Sequence, residues 1–274
     1  MSLPESFVET AALDALPTTA PEIVAAGALP VARRAPRTWK FIGTSLWGVF
    51  AFGAMFAGQL AATFRFLMMG DAPTDLAAAT AWLTSGVTIA LSVLMGLPAA
   101  LLALWLAVRL SRTPFADYLA LRGTSWKNFL RGAAALIVMI AAFDALSRAL
   151  GRDAAPGFMV EVMKSAELDG AIWLLVIAFC VAAPVTEEFL VRGFLYRGWS
   201  ESRLRPFGAI VLSSLVWTAM HLQYDWFFFG EIFSIGLLLG YLRYRTGSIW
   251  LTVFVHGLNN LLATLQTIWL ASQP

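Results

Sequence analysis

Thr186-Glu187-Glu188-Phe189-Leu190-Val191-Arg192 places two adjacent carboxylates and an arginine within an apolar run that extends from about residue 168 to Trp199. Ionised groups in such a setting are expensive, and by default they mark function or pairing. Two later stretches have the same character, Trp217-Thr218-Ala219-Met220-His221 and His256-Gly257-Leu258-Asn259-Asn260. They contain both histidines of the 274-residue chain.

Working outward, 59% of the residues are hydrophobic and 13% charged, with a mean hydropathy of +0.73. Soluble domains carry about 25% charged residues, so this composition indicates a membrane protein. The apolar residues come in runs of about twenty, long enough to cross a hydrocarbon core as helices. No alternating pattern suggests a β-barrel. The expectation is an all-α polytopic membrane protein, a bundle of about seven to eight transmembrane helices with a polar intramembrane cavity. A net charge of +2, with bases scattered through loops, does not suggest nucleic acid. The single cysteine, Cys180, excludes an internal disulfide and a Cys-based zinc site.

Residues 1–40 contain Pro4, Pro17, Pro21, Pro30 and Pro36 without a sustained apolar face, and are expected to form a disordered cytoplasmic arm. The helical transmembrane domain then covers 41–274. Arg33, Arg34, Arg37 and Lys40 precede the first span and hold the N-terminus in the cytoplasm by the positive-inside rule. Spans are expected at about 42–66, 83–108, 129–150, 168–199, 207–223, 227–243 and 248–270. Loop charge alternates between basic and acidic or mixed along this series. That supports seven crossings with the C-terminus outside, and an eighth, half-inserted helix fits as well. Within the first inner loop, Thr113 to Leu121 reads as a short interfacial helix opened by Thr113 and Pro114. Asp144 and Arg148 are expected to pair across one turn. The fourth span is about 48 Å long at the helical rise, so a break or kink near Pro184 is expected.

If the fourth span reaches Ser200, then Glu187, His221 and His256 lie about 13 to 22 Å above the inner ends of their helices. Three successive inner-starting segments thus bring their polar groups to comparable depth. Glu188 and Arg192 are four apart and share a face, whereas Glu187 is turned by about 100° toward the histidine-bearing helices. His256 and Asn260, also four apart, can point at one spot. Glu231 reads as a structural or cavity-lining residue.

A carboxylate beside an imidazole in a secluded site can act as a general base on water. Glu187 with His221 suits that role, and His256 with the Asn260 amide offers donors to an oxyanion. The set suits hydrolysis of an amide within the membrane. The sequence has neither HExxH nor Gly-x-Ser-x-Gly.

Glu-Glu-x-x-x-Arg at 187–192, an aromatic-x-x-x-His at 217–221 and His-x-x-x-Asn at 256–260, in that order, resemble the three motifs of the CAAX-processing and bacteriocin-immunity (CPBP, or Abi) family of intramembrane glutamate proteases. The resemblance covers about residues 168–270, the expected catalytic part. Trp217 departs from it, since the family usually has Phe there. The resemblance implies an intramembrane endopeptidase in which Glu187 and His221 activate water and His256 and Asn260 stabilise the oxyanion. Glu188 and Arg192 are then the supporting pair. It also implies a helical bundle whose cavity opens to the cytoplasm and sideways to lipid. The expected partners are a membrane-associated peptide or protein, lipidated in some relatives, and the bilayer of a bacterial inner membrane; the sequence sets no oligomeric state. No cofactor is expected, although Glu187, His221 and His256 could instead hold zinc with a water in the fourth position. The alternative is a non-enzymatic polytopic protein, a proton-coupled transporter or an immunity or scaffold protein. A transporter would be expected to show broken helices in matching halves, and no such pairing is visible.

Overall fold

The computed structural model describes residues 35–68, 75–152 and 155–272. The expected arm therefore lies outside the described residues up to position 34, as does Asp71. Among the described residues there are ten helices and no strand. They are α1 (Lys40–Met68), α2 (Leu76–Leu83), α3 (Gly86–Ser111), α4 (Phe115–Leu119), α5 (Trp126–Ala149), α6 (Gly157–Leu168), α7 (Ile172–Ser200), α8 (Arg205–Ala219), α9 (Trp226–Thr246) and α10 (Ile249–Ala271).

Polar residues punctuate the apolar runs. Ser85, Asp225 and Ser248 cap α3, α9 and α10 by accepting hydrogen bonds from first-turn N–H groups. The tight turn between α9 and α10 depends on Gly247, whose φ of +65° is the left-handed conformation that glycine adopts without strain.

Five helices, α1, α3, α5, α7 and α9, are long and apolar enough to cross a membrane. The chain is thus a polytopic helical membrane protein. The other two expected spans differ for identifiable reasons: α8 has 15 residues, and α10, with 23, carries His256, Asn259, Asn260 and Gln266. Both pack within the bundle, α8 against α9 and α10 against α5, α6, α7 and α9.

The helix ends gather into two faces. At one, Arg37 N–H donates to the Ser111 carbonyl, Ile249 N–H to the Ala120 carbonyl, and Arg197 to the Asp117 carbonyl, joining the start of α1, the end of α3, α4, the end of α7 and the start of α10. Hydrogen bonds at the other join Gly86 to Ser165 and Arg152 to Asp225.

The segment expected to lie along the interface folds inward instead. Tyr118 and Leu119 of α4 are fully buried, Tyr118 stacks on Phe194 at 5.5 Å, and both belong to a core with Leu104, Leu195 and Ile249. Two large apolar side chains in one short turn gain more from this burial than from the interface. α4 therefore plugs the first face.

α7 runs unbroken from Ile172 to Ser200 and passes Pro184, so the chain does not break there. Two wide π turns, at Ala178–Ala182 and Phe189–Leu195, lie within it. A π turn bonds residue i to i+5, so the missing N–H and bulky ring of a proline are accommodated without interrupting the helix. Because α7 reaches Ser200, the depth on which the polar constellation depends is met.

Candidate active site

Glu187 and Glu188 sit between the two π turns and have different surroundings. Glu188 is fully buried, and its Oε1 accepts from Arg192 Nη1 at 2.8 Å and from His256 Nδ1 at 3.0 Å. Arg192, also fully buried, donates through Nη2 to the Gly236 carbonyl at 3.2 Å and lies 4.5 Å from the Trp217 ring centroid. Gly236 permits that approach, since a Cβ there would stand 3.0 Å from Ser214 and 3.2 Å from the Trp217 ring. The expected Glu188–Arg192 pair is present.

Glu187 retains 16% side-chain exposure and faces a cavity. Its Oε2 accepts from the Trp217 indole N–H at 2.5 Å and stands 3.9 Å from His256 Nε2. His256 thus lies between the two carboxylates, one ring nitrogen toward each. Its Nδ1 is held by Glu188, which leaves Nε2 as the atom facing Glu187. Trp217, the departure from the family's usual Phe, is a direct partner of Glu187. Its indole ring also meets both imidazoles edge-on, at 5.2 Å for His221 and 5.1 Å for His256.

His221 lies in the turn that follows α8, not on a helix. Its Nδ1 is 3.0 Å from the Trp217 carbonyl. A carbonyl only accepts, so Nδ1 carries the proton and Nε2 is the basic nitrogen. Among the described residues no hydrogen bond joins His221 to Glu187, but both line the same cavity on either side of Trp217. Tyr224 stacks on His221 at 6.0 Å and lines the cavity too. Burial pushes its hydroxyl up to about 12, so at neutral pH it remains a donor. Nothing in the three motifs pointed to Tyr224.

Asn260 is oriented by the first π turn. Ala183 N–H reaches back to the Ala178 carbonyl, and the residue five beyond Phe179 is Pro184, which has no N–H. The Phe179 carbonyl is therefore left to Asn260 Nδ2, which donates to it at 2.8 Å. Asn259 Nδ2 donates to Asn260 Oδ1 at 3.2 Å. One Nδ2 hydrogen of Asn260 remains for another acceptor. The contact requires α10 to lie close against α7, and Gly257 allows this: a Cβ there would be 2.8 Å from the Cys180 carbonyl.

The four expected catalytic residues line one cavity of about 940 Å³, with Phe56, Phe143, Phe158, Phe179, Phe227 and Phe228 among its apolar walls. Glu231 and Asp144 line it as well, and Asp144 lies 4.0 Å from Arg148 as the expected pair. Among the described residues no three His, Cys, Asp or Glu side chains are grouped to hold a metal ion. Glu187, His221 and His256 thus share a cavity without forming a ligand set.

All lining residues come from the middle of the bundle or from the face formed by residues 143–152, 155–159 and 219–228. The opposite face carries the start of α1 and the basic loops, and is filled by α4.

Residues 169–262 match the model of a family described as type II CAAX prenyl endopeptidase Rce1-like. Over 93 residues the chain is 30% identical to the UPF0177 protein YbdI of Lactococcus lactis subsp. lactis, an alignment covering 34% of this chain and 49% of that protein. The chain thus spans about half the length of the curated relative it matches. No solved structure matches. The matched segment contains all three motifs, and the resemblance to CAAX-protease-like proteins is borne out.

Proposed function

We propose that the chain is an intramembrane endopeptidase that hydrolyses a peptide bond of a membrane-anchored substrate. The observation that carries this reading is the meeting of Glu187, His221, His256 and Asn260, from α7, the α8–α9 turn and α10, on one secluded cavity. The family match over 169–262 supports it.

In this reading a water bound between Glu187 and His221 attacks the scissile carbonyl carbon. Its proton passes to the Glu187 carboxylate, with the basic Nε2 of His221 orienting the water. The carbonyl oxygen becomes an oxyanion, which accepts the remaining Asn260 N–H, with the His256 ring beside it. Collapse of the tetrahedral intermediate breaks the C–N bond, and Glu187 returns its proton to the leaving amine. Glu188 and Arg192 act on His256, holding its ring so that Nε2 faces the reaction.

The test is cleavage of a panel of membrane-anchored peptides by purified protein in liposomes, comparing the wild type with Glu187→Ala and His221→Ala. Loss of turnover in folded variants is expected. Unchanged cleavage in both would end the catalytic reading and favour an immunity or scaffold role. Metal analysis, with activity measured after chelation, separates the water-activating glutamate from the zinc alternative; stoichiometric zinc would replace the mechanism above.

A further inference from the structure

The side from which the cavity is reached follows from two features that no catalytic motif determines, namely which ends of the helices line it and where the bases lie. On α5 the lining runs from Ile140 to Ser147, toward the end of that helix; on α9 it runs from Phe227 to Ile235, at its beginning. On α10 it runs from His256 to Thr267, again toward the end. These three stretches lie at the same end of the bundle. Exposed Leu222 and Gln223, in the turn after α8, form part of its rim. Glu187 and His256 lie at the floor.

Below the floor the bundle is closed. Leu104, Tyr118, Leu119, Phe194, Leu195 and Ile249 are each at most 2% exposed. Among the described residues this packing closes the bundle on that side.

The bases are divided in the opposite sense. Arg109, Arg112, Arg122 and Lys127 surround α4, Arg203 lies between α7 and α8, Arg205 begins α8, and Arg243 and Arg245 end α9, all at the closed face. At the cavity face, among the residues whose side chains are described, Arg148, Arg152 and Lys164 are each paired with an acid, Asp144, Asp225 and Glu161 respectively. An excess of Lys and Arg in short loops marks the cytoplasmic side.

We propose that the cavity opens on the extracytoplasmic face, and that its substrate is a membrane-anchored segment whose scissile bond is presented from that leaflet. The substrate class rests on the peptidase reading above; the side of access does not. A cytoplasmic protein that is lipidated and held to the inner leaflet is then on the wrong side of the closed core.

Single cysteines test the side without requiring turnover. The parent chain, whose one cysteine, Cys180, is half-buried in α7, serves as the blank. Gln223→Cys at the rim and Arg203→Cys at the closed face are treated in intact cells with a membrane-impermeant maleimide. Gln223→Cys is expected to react in intact cells, and Arg203→Cys only after permeabilisation. The reverse pattern would overturn the proposal. For the substrate class, right-side-out and inside-out vesicles receive a peptide anchored by an acyl chain in the accessible leaflet, with Glu187→Ala as the control. Cleavage confined to right-side-out vesicles is expected, and cleavage confined to inside-out vesicles would refute it. Cleavage in neither would remove the peptidase reading and the substrate class together, while the labelling result would still decide the side of access.

Discussion

Replacing Arg192 with methionine tests whether the buried pair beneath the site is a structural necessity. Both Arg192 and Glu188 have no side-chain exposure, and they meet at 2.8 Å. The change would remove the guanidinium from Glu188 while His256 Nδ1 stays at 3.0 Å, take the side-chain donor from the Gly236 carbonyl and remove the cation above the Trp217 ring. Breaking a buried ion pair from one side costs about 3 to 5 kcal/mol, because the other charge stays buried. For a body of this size each kcal/mol lowers Tm by about 2 to 4 °C, so a fall of about 6 to 20 °C is expected. Removing both charges at once, as in Glu188→Gln with Arg192→Met, leaves no uncompensated ion and should restore most of that loss. Thermal unfolding in detergent, followed by intrinsic tryptophan fluorescence, measures all four corners of the cycle. A single-variant shift under about 2 °C, or a double variant equal to the sum of the singles, would refute the reasoning.

Trp217→Phe keeps an aromatic ring but removes the N–H that holds Glu187. A hydrogen bond to a charged group contributes about 1.5 to 3 kcal/mol, so if that energy is used in the transition state kcat is expected to fall by about ten- to a hundredfold, with KM little changed; wild-type kcat would show that Glu187 is held by other means. Gly257→Ala should destabilise by about 1 to 3 kcal/mol, because its Cβ would meet a backbone carbonyl at 2.8 Å that cannot step aside. Helix propensity alone predicts the opposite sign, so a raised Tm would contradict the close approach of α10 to α7. The Tyr118 hydroxyl is raised by burial to about 12. An unfolded tyrosine ionises near 10, so stability should hold below about pH 10 and decline as pH rises toward about 12. Tyr224 adds to the same window, and Tyr118→Phe should flatten the decline measured by alkaline unfolding; an unchanged slope would exclude Tyr118 as a source.

The parts of this molecule that could be read from its sequence were those set by short, regular spacing. The Glu188–Arg192 pair and the Asp144–Arg148 pair each follow from a separation of four on a helix. The reach of α7 to Ser200 and the shared depth of its carboxylates with His256 followed from the length of the apolar run. What escaped depends on relations that spacing does not encode. A π turn has no residue signature, so the passage of α7 across Pro184 and the exposure of the Phe179 carbonyl to Asn260 were not visible. The burial of α4 turns on what covers Tyr118, namely Phe194 from a helix distant in sequence. His256 could be assigned to the site, but its orientation toward Glu188 was set by a fully buried acid on another helix. Trp217 was recognised as a departure from the usual phenylalanine, and only the position of its indole nitrogen showed that it bonds to Glu187.

The wide turns of α7 give the helix a place where its length can change without changing its facing. Each holds one more residue than an α-helical turn, so deleting a residue from Ala178–Ala182 would let the helix close to ordinary geometry and leave Glu187 and Glu188 facing much as before. A deletion in regular α-helical geometry finds no such spare residue and would turn everything beyond it by about 100°. The number of residues between the motifs is therefore tolerant of loss at one point of α7 and intolerant elsewhere, a property that no residue of the three motifs records.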